Sequence, residues 1–192
     1  MTLTELVSEV SSLTRRPDQE LNAVSYIRAA TLAAHSLDDF SRDLVIATIA
    51  NPAPLEYKIS IPHPAFWKKW KQLNVADSAG TTGVELVETS ISTLVDSYGY
   101  RKTNCYYIAG TATTAFLGEL SPQLQYSYYA YPNVSTTGYA SWVATNHPYY
   151  LIYSAAARVF ALLGRRDMAQ QYERDAFNAA SAIVKDNITE QG

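Results

Sequence analysis

The sequence predicts an α+β fold, in which helices from the N and C termini form a bundle that carries a small β-rich insertion. Three observations favour this class. Apolar residues repeat at helical spacing near both ends, the middle alternates with a period of two, and proline and glycine separate these patterns. The expected divisions are 1–50 for the N-terminal helices, 51–140 for the insertion, and 141–192 for the C-terminal helices with a polar tail. Helices from both ends are expected to share one core, because neither pair alone buries both apolar stripes.

The N-terminal region predicts two helices. Apolar residues recur at helical spacing over 3–13, and Thr2 with Glu5 forms the pattern of a capping box. A second, alanine-rich helix is expected to open at Pro17 and to run to about His35. The first segment is clearly amphipathic and acidic, so it is not expected to be a signal peptide.

The middle of the chain predicts short strands. The segment NPAP at 51–54 breaks the helical region. The predicted elements that follow are a strand over 57–61, a helical turn over 66–70, a hairpin over 104–117 with Gly110 near its turn, and a strand over 124–131. This composition indicates a compact β domain inserted between helices.

The last of these strands carries large aromatic rings on both faces. Alternation places Tyr126 and Tyr128 on one face, and Tyr129 and Tyr131 on the other. A sheet that has one solvent-exposed face does not require tyrosines on both of its faces. Either a partner molecule or helices of the same chain cover the second face, and the sequence leaves both open. Tyr129 and Tyr131 are the partner-facing candidates.

The C-terminal region predicts two more helices. One is capped by Asn146, with Pro148 in its first turn, and it ends before Gly164. The next is capped by Asp167, and from Asp186 onwards the polar residues are expected to leave the helix.

Composition and motifs disfavour most chemical functions. The chain has 192 residues, of which 47% are hydrophobic, 17% are charged and 15 are tyrosines, and its net charge is −3. A single cysteine, Cys105, excludes an internal disulfide and a cysteine-based zinc site. The segment ADSAG at 76–80 differs from a serine-hydrolase elbow, since alanine replaces the first glycine. No catalytic site, metal or cofactor is expected, and the chain is not expected to be an enzyme or to bind a membrane.

One basic aromatic segment, WKKWK at 67–71, has two interpretations. Aromatic rings interleaved with lysines can stack on and neutralise a nucleic-acid strand. In an acidic protein, Trp67 and Trp70 more often anchor a loop to a sheet while the lysines remain in water. They are also candidates for contact with a protein partner.

Several segments follow one another in an informative order. They are YYIAG at 106–110, YSYYAYP at 126–132, SWVATNHP at 141–148, LIYSAAA at 151–157 and, after Gly164, QYE at 171–173. This order resembles the head-to-tail adaptor, or connector, family of tailed bacteriophages, especially the short-tailed type, most clearly over 104–185. The front differs, because PHPAF at 62–66 stands where the family often has an acidic residue and a phenylalanine after the proline.

The resemblance implies a structural role in the virion. Such adaptors form a ring, usually of twelve copies, between the portal protein and the tail nozzle, and in some phages they attach tail fibres. They surround the channel through which DNA leaves, so proximity to DNA would be non-specific, and they have no enzymatic activity. By resemblance, Asp186, Asn187 and Ile188 are candidates for docking to the portal, and Trp67 and Trp70 for contact with tail proteins. The chain would be made in the host cytoplasm and located in the virion neck.

The main alternative is a cytoplasmic module that binds a small ligand or a glycan through the tyrosine-rich insertion. It predicts a concave pocket that is lined by the tyrosines and closed within one chain. The adaptor hypothesis instead predicts exposed apolar patches that a neighbouring copy covers, and a free chain that is monomeric or weakly associated.

Overall fold

The computed structural model describes residues 1–76, 79, 82–95 and 99–191, and it leaves aside the side chains of residues 82 and 188–191. The chain divides into two compact units. The first comprises Met1–Asp43 and Tyr131–Gly192, and the second is Leu44–Ala130. Helices and strands segregate between these units, which confirms the α+β class. The insertion spans 44–130, where the sequence predicted 51–140.

The first unit, called here the helical unit, contains every described α-helix. These are α1 (Leu3–Thr14), α2 (Glu20–His35), α3 (Trp142–Asn146), α4 (Pro148–Leu162) and α5 (Arg166–Gln191). Local signals set several helix ends. Thr2 and Glu5 form the predicted capping box on α1. Gly164, at φ +73°, follows α4 in the left-handed conformation that glycine adopts readily.

Helices from both ends of the chain share one apolar core, as predicted. Leu6 of α1, Ile27 of α2 and Leu151 of α4 are fully buried together, and Ile183 of α5 joins them. Burial of each such side chain contributes about 1.5–3 kcal/mol. The packing is what makes α2 stable, because its own apolar stripe is weak.

The second unit, called here the sandwich unit, contains two four-stranded sheets. Its strands are β1 (Leu44–Ala50), β2 (Lys58–Pro62), β3 (Trp67–Ala76), β4 (Thr82–Glu85), β5 (Val87–Glu88), β6 (Cys105–Ala109), β7 (Ala112–Phe116) and β8 (Gln123–Ala130). One sheet has the order β1-β8-β3-β4 and the other β2-β7-β6-β5. Side chains from both sheets, including Ile61, Leu73 and Leu124, form a single core.

The strand predictions over 57–61 and 124–131 and the hairpin are confirmed. β6 and β7 pair antiparallel, and Gly110 has φ +62° at their turn. Two local expectations were wrong. The segment expected to form a helical turn, which includes Trp67 and Trp70, lies in β3 because it pairs with β8 along its length. Leu44–Ala50 was placed at the end of the helical region, but its β-branched residues pair with β8 as β1.

Candidate interaction surfaces

The tyrosines on one face of β8 fill the sandwich core. Tyr126 and Tyr128 are buried, and their ring centroids lie 5.2 Å and 5.9 Å from that of Trp70. Burial raises the pKa of the Tyr126 hydroxyl, which therefore stays protonated at neutral pH. The ligand-binding alternative requires tyrosine rings that line an open pocket, and rings packed in this way do not.

The other face of β8 is largely covered by the chain itself. Tyr129 is 9% exposed, and Lys69 places its Nζ 5.8 Å from the centre of the Tyr129 ring. Tyr131, just beyond the strand, is half-buried. A partner therefore finds little of the Tyr129 ring, while part of Tyr131 remains accessible.

The two tryptophans of β3 differ in accessibility. Trp70 is 6% exposed, and its Nε1–H donates to Thr113 Oγ1 at 2.7 Å. Trp67 is half-buried and stacks on His63, with 3.8 Å between ring centroids. Burial lowers the pKa of His63, so its imidazole is neutral in this stack at neutral pH. The expectation that Trp70 offers its ring to a partner does not fit this burial, whereas Trp67 remains a candidate.

The C-terminal residues do not form a free tail. Asp186 and Asn187 belong to α5, which continues to Gln191. Asp186 Oδ2 lies 2.7 Å from His147 Nε2, and the Asp186 side chain is half exposed. Asn187 is 5% exposed, because its amide is held by the segment that follows α2. The side chain of Ile188 lies outside the described residues.

Asn187 connects α5 to the turn before β1. Its Oδ1 accepts from the backbone N–H of Ser41 at 3.2 Å, and its Nδ2–H donates to Asp38 Oδ2 at 3.0 Å. These contacts give Asn187 a structural role in the isolated chain. They leave Asp186 as the more accessible residue of the predicted docking segment.

Asn187→Ala is expected to lower the free energy of unfolding by about 1–3 kcal/mol, because the buried side chain loses its bonds to the Ser41 N–H and the Asp38 carboxylate, at about 0.5–1.5 kcal/mol each. Denaturant unfolding followed by circular dichroism measures the change. Asn178→Ala provides the control, since Asn178 lies exposed on the same helix, and it should change stability by less than about 0.5 kcal/mol. Equal stabilities for the two variants would contradict the structural role of Asn187.

A buried polar cluster in the helical unit was not predicted from the sequence. His35 is 1% exposed, and its Nδ1 lies 2.9 Å and 2.8 Å from the two carboxylate oxygens of Asp43. His35 Nε2 lies 2.9 Å from Ser141 Oγ, and Trp142 Nε1–H donates to Asp43 Oδ1 at 2.8 Å. Ser141 lies 106 residues from His35, and Trp142 lies 99 residues from Asp43, so no local pattern could have indicated the whole cluster.

In this cluster, serine, histidine and aspartate are connected as in a Ser-His-Asp catalytic triad. Their surroundings indicate a structural role instead. Ser141 Oγ accepts from the backbone N–H of Val143 at 3.2 Å and so caps α3. That N–H is therefore directed at the hydroxyl itself, whereas a triad needs N–H donors directed at a substrate oxyanion. The burial of His35 also keeps substrates away from its ring. The cluster connects α2, the turn after it and α3.

The helical unit also carries an open apolar groove. It has a volume of about 340 Å³ and lies along α4 and α5. Leu37, Tyr150 and Phe177 supply apolar walls, and Arg158 and Glu173 supply charge. Phe177 is 74% exposed. Such exposure of a phenylalanine is typical of a surface that another molecule covers.

The sandwich unit exposes further large apolar side chains. They include Val45, Ile46, Leu55, Tyr57, Val84, Val87, Ile91, Val95, Tyr100 and Ile108. Cys105 is buried, and burial raises the pKa of its thiol. The thiol therefore behaves as a small core residue.

In the part of the chain that the structure describes, no helix is long and apolar enough to cross a membrane. No group of three His, Cys, Asp or Glu side chains among those residues could hold a metal ion.

Comparison with known proteins gives weak likenesses only. No protein-family model matches the chain, and no curated protein matches it. Among solved structures, a chain in the neck of a native GTA particle, computed with C12 symmetry, is 12% identical, with a TM-score of 0.28, over 86% of this chain and 89% of that chain. A chain in the neck of an empty GTA particle, computed with C6 symmetry, is 16% identical, with a TM-score of 0.25, over 78% and 74%. Such low TM-scores do not establish a common fold, so function is argued from this chain's own residues.

Proposed function

We propose that this chain is a structural virion protein, a head-to-tail adaptor that forms a ring between the portal and the tail nozzle of a tailed bacteriophage. The observation that carries the proposal is the exposure of large apolar side chains on both units, from Ile46 in the sandwich unit to Phe177 in the helical unit. Exposed apolar patches on soluble proteins mark sites of interaction with other molecules, and these side chains are the candidates for such patches. The ring, of about twelve copies, follows from the resemblance of 104–185 to the adaptor family.

The packing of the β8 tyrosines weighs against the ligand-binding alternative. That function needs tyrosines around an open cavity, but Tyr126 and Tyr128 are packed between the sheets. The described groove lies instead in the helical unit. We therefore propose a role in assembly, without enzymatic activity and without a cofactor.

The partner surfaces can be assigned in the same terms. Trp67 and the accessible part of Tyr131 are proposed to contact tail proteins, including fibres where the phage has them. Asp186 and Ile188, near the end of α5, are proposed to face the portal. Contacts with DNA in the channel would be non-specific, because the net charge of −3 gives the chain no general attraction for phosphates.

The proposal predicts that this chain is present in the neck of virions purified from the phage that encodes it. Mass spectrometry of intact particles should detect it, and cryo-electron microscopy should place it in a ring below the portal. The free chain should sediment as a monomer in exchange with weakly associated species, because the portal templates the ring. Absence from purified virions would contradict the proposed function, and a stable ring of the isolated chain would contradict the templating step.

A further inference from the structure

We infer that neighbouring copies join by sheet extension, with β1 of one copy pairing with β4 of the next. The inference rests on the proposed ring, and β1 and β4 are the strands that would join each copy to the next. Among the residues that the structure describes, β1 and β4 are the two outer strands of one sheet, and each pairs there with a neighbour on one side. An outer strand presents unpaired backbone N–H and C=O groups, which a further strand can satisfy.

β1 lacks the features that usually protect an outer strand. Its sequence, LVIATIA, contains no charged residue and no proline. In the part of the chain that the structure describes, β1 pairs only with β8, and Val45 and Ile46 remain exposed, Ile46 at 66%. A long, uncharged, apolar outer strand is a site of association unless something covers it.

The two outer strands of the other sheet are protected. β2 carries Lys58 and ends in Pro62, and β5 has two residues, one of which is Glu88. β4, at the far edge of the same sheet as β1, is shorter, with four residues that include Glu85. Because charge, proline and short length all discourage accidental pairing, the unprotected β1 is the strand for which a partner is expected.

Strand direction is compatible with the β4 edge of another copy as that partner. Neighbouring strands in this sheet are all antiparallel, from β1 to β8, from β8 to β3, and from β3 to β4. Four alternating strands leave β1 and β4 running in opposite directions. A second copy in the same orientation therefore places its β1 antiparallel to β4 of the first copy, which continues the hydrogen-bond pattern.

This contact joins two different surfaces of the same molecule. Repetition of such a head-to-tail contact produces a ring when the rotation closes, and an open filament when it does not. Pairing of β1 with β1 of a second copy would instead give a closed dimer. Of these two pairings, only the β1–β4 contact is compatible with a ring in which every copy is equivalent.

Crosslinking tests the contact directly in the full-length chain. Ile46→Cys and Val84→Cys are introduced together in a Cys105→Ala background, and a short bis-maleimide joins thiols in solution. Denaturing gels should show a ladder of dimers, trimers and larger species at the highest soluble concentration. The pair Leu55→Cys and Val84→Cys is the matched control, since Leu55 is exposed but lies outside β1, and it should give no ladder.

A charged substitution provides the second readout. Ile46→Lys should lower the yield of a Thr48→Cys and Val84→Cys ladder by roughly tenfold, because a lysine on the outer strand opposes pairing, and Thr48 is an exposed residue of β1. Leu55→Lys, which adds the same charge outside β1, should leave the ladder unchanged. Circular dichroism verifies that each variant folds.

Three results would overturn the inference. They are the absence of a ladder, an equal ladder from the Leu55 control, and a dimer that Ile46→Cys forms alone. The proposed function is tested separately, by the presence of the chain in the neck. A neck ring without the β1–β4 ladder would remove the contact and leave the adaptor role standing. A ladder from a chain that is absent from virions would support the β1–β4 contact and contradict the adaptor role.

Discussion

Asp43→Ala is expected to lower the free energy of unfolding of the helical unit by roughly 2–5 kcal/mol. The carboxylate accepts from Trp142 Nε1–H at 2.8 Å and faces His35 Nδ1 at 2.8 Å. Its removal leaves two donors without an acceptor inside the protein, and each buried unsatisfied donor costs about 1–3 kcal/mol. Denaturant unfolding followed by helical circular dichroism measures the loss.

Two variants make this result specific. Glu9→Ala removes an exposed carboxylate from α1 and should change the free energy of unfolding by less than about 0.5 kcal/mol. Asp43→Asn keeps the shape and one acceptor oxygen, so its stability should lie between those of the wild type and Asp43→Ala.

Ser141→Ala distinguishes a structural role of the cluster from a catalytic triad. In a structural joint, Ser141→Ala removes the cap of α3 and costs about 0.5–2 kcal/mol. In a triad, Ser141→Ala would abolish hydrolysis of an activated ester while stability stayed unchanged. Esterase activity in the wild type that is lost in that variant would contradict the structural role.

Sequence reasoning succeeded where short segments carry their own signal. The capping box at Thr2 and the glycine turns at Gly110 and Gly164 are decided by residues close in the chain, and the structure has all three. The alternating strands over 57–61 and 124–131 are of the same kind. The period-two alternation of their side chains can be read from the sequence of each strand alone. Tyr126 and Tyr129 could therefore be assigned correctly to opposite faces.

It failed where long-range pairing decides the structure. LVIATIA at 44–50 can end a buried helix or form a strand, and only its register with β8 makes it β1. WKKWK at 67–71 has no clear period, and it becomes part of β3 through the same neighbour. Burial is equally non-local. Trp70 and Asn187 have the residue types of exposed partner contacts, but chain segments distant in sequence bury both of them.

Trp70→Ala is expected to lower the free energy of unfolding of the sandwich unit by about 3–5 kcal/mol, since removal of a buried ring leaves a cavity. The ring packs against Tyr126 and Tyr128, and its Nε1–H bonds to Thr113 Oγ1. Thr113→Val keeps the volume and removes the hydroxyl that bonds to Trp70 Nε1 and to His63 Nε2, so it should cost about 1–3 kcal/mol. Calorimetry of the two variants separates packing from hydrogen bonding.

Comparison with Trp67→Ala then separates a core residue from a partner contact. Trp67 is half-buried, so its loss should destabilise the chain less than that of Trp70, while binding to tail proteins should weaken more. For Trp70→Ala, any loss of assembly should follow its loss of folded protein, and conditions that restore folding should restore assembly. A folded, fully stable Trp70→Ala chain that failed to join the neck would show instead that the Trp70 ring contacts a partner, and that the sandwich core tolerates its absence.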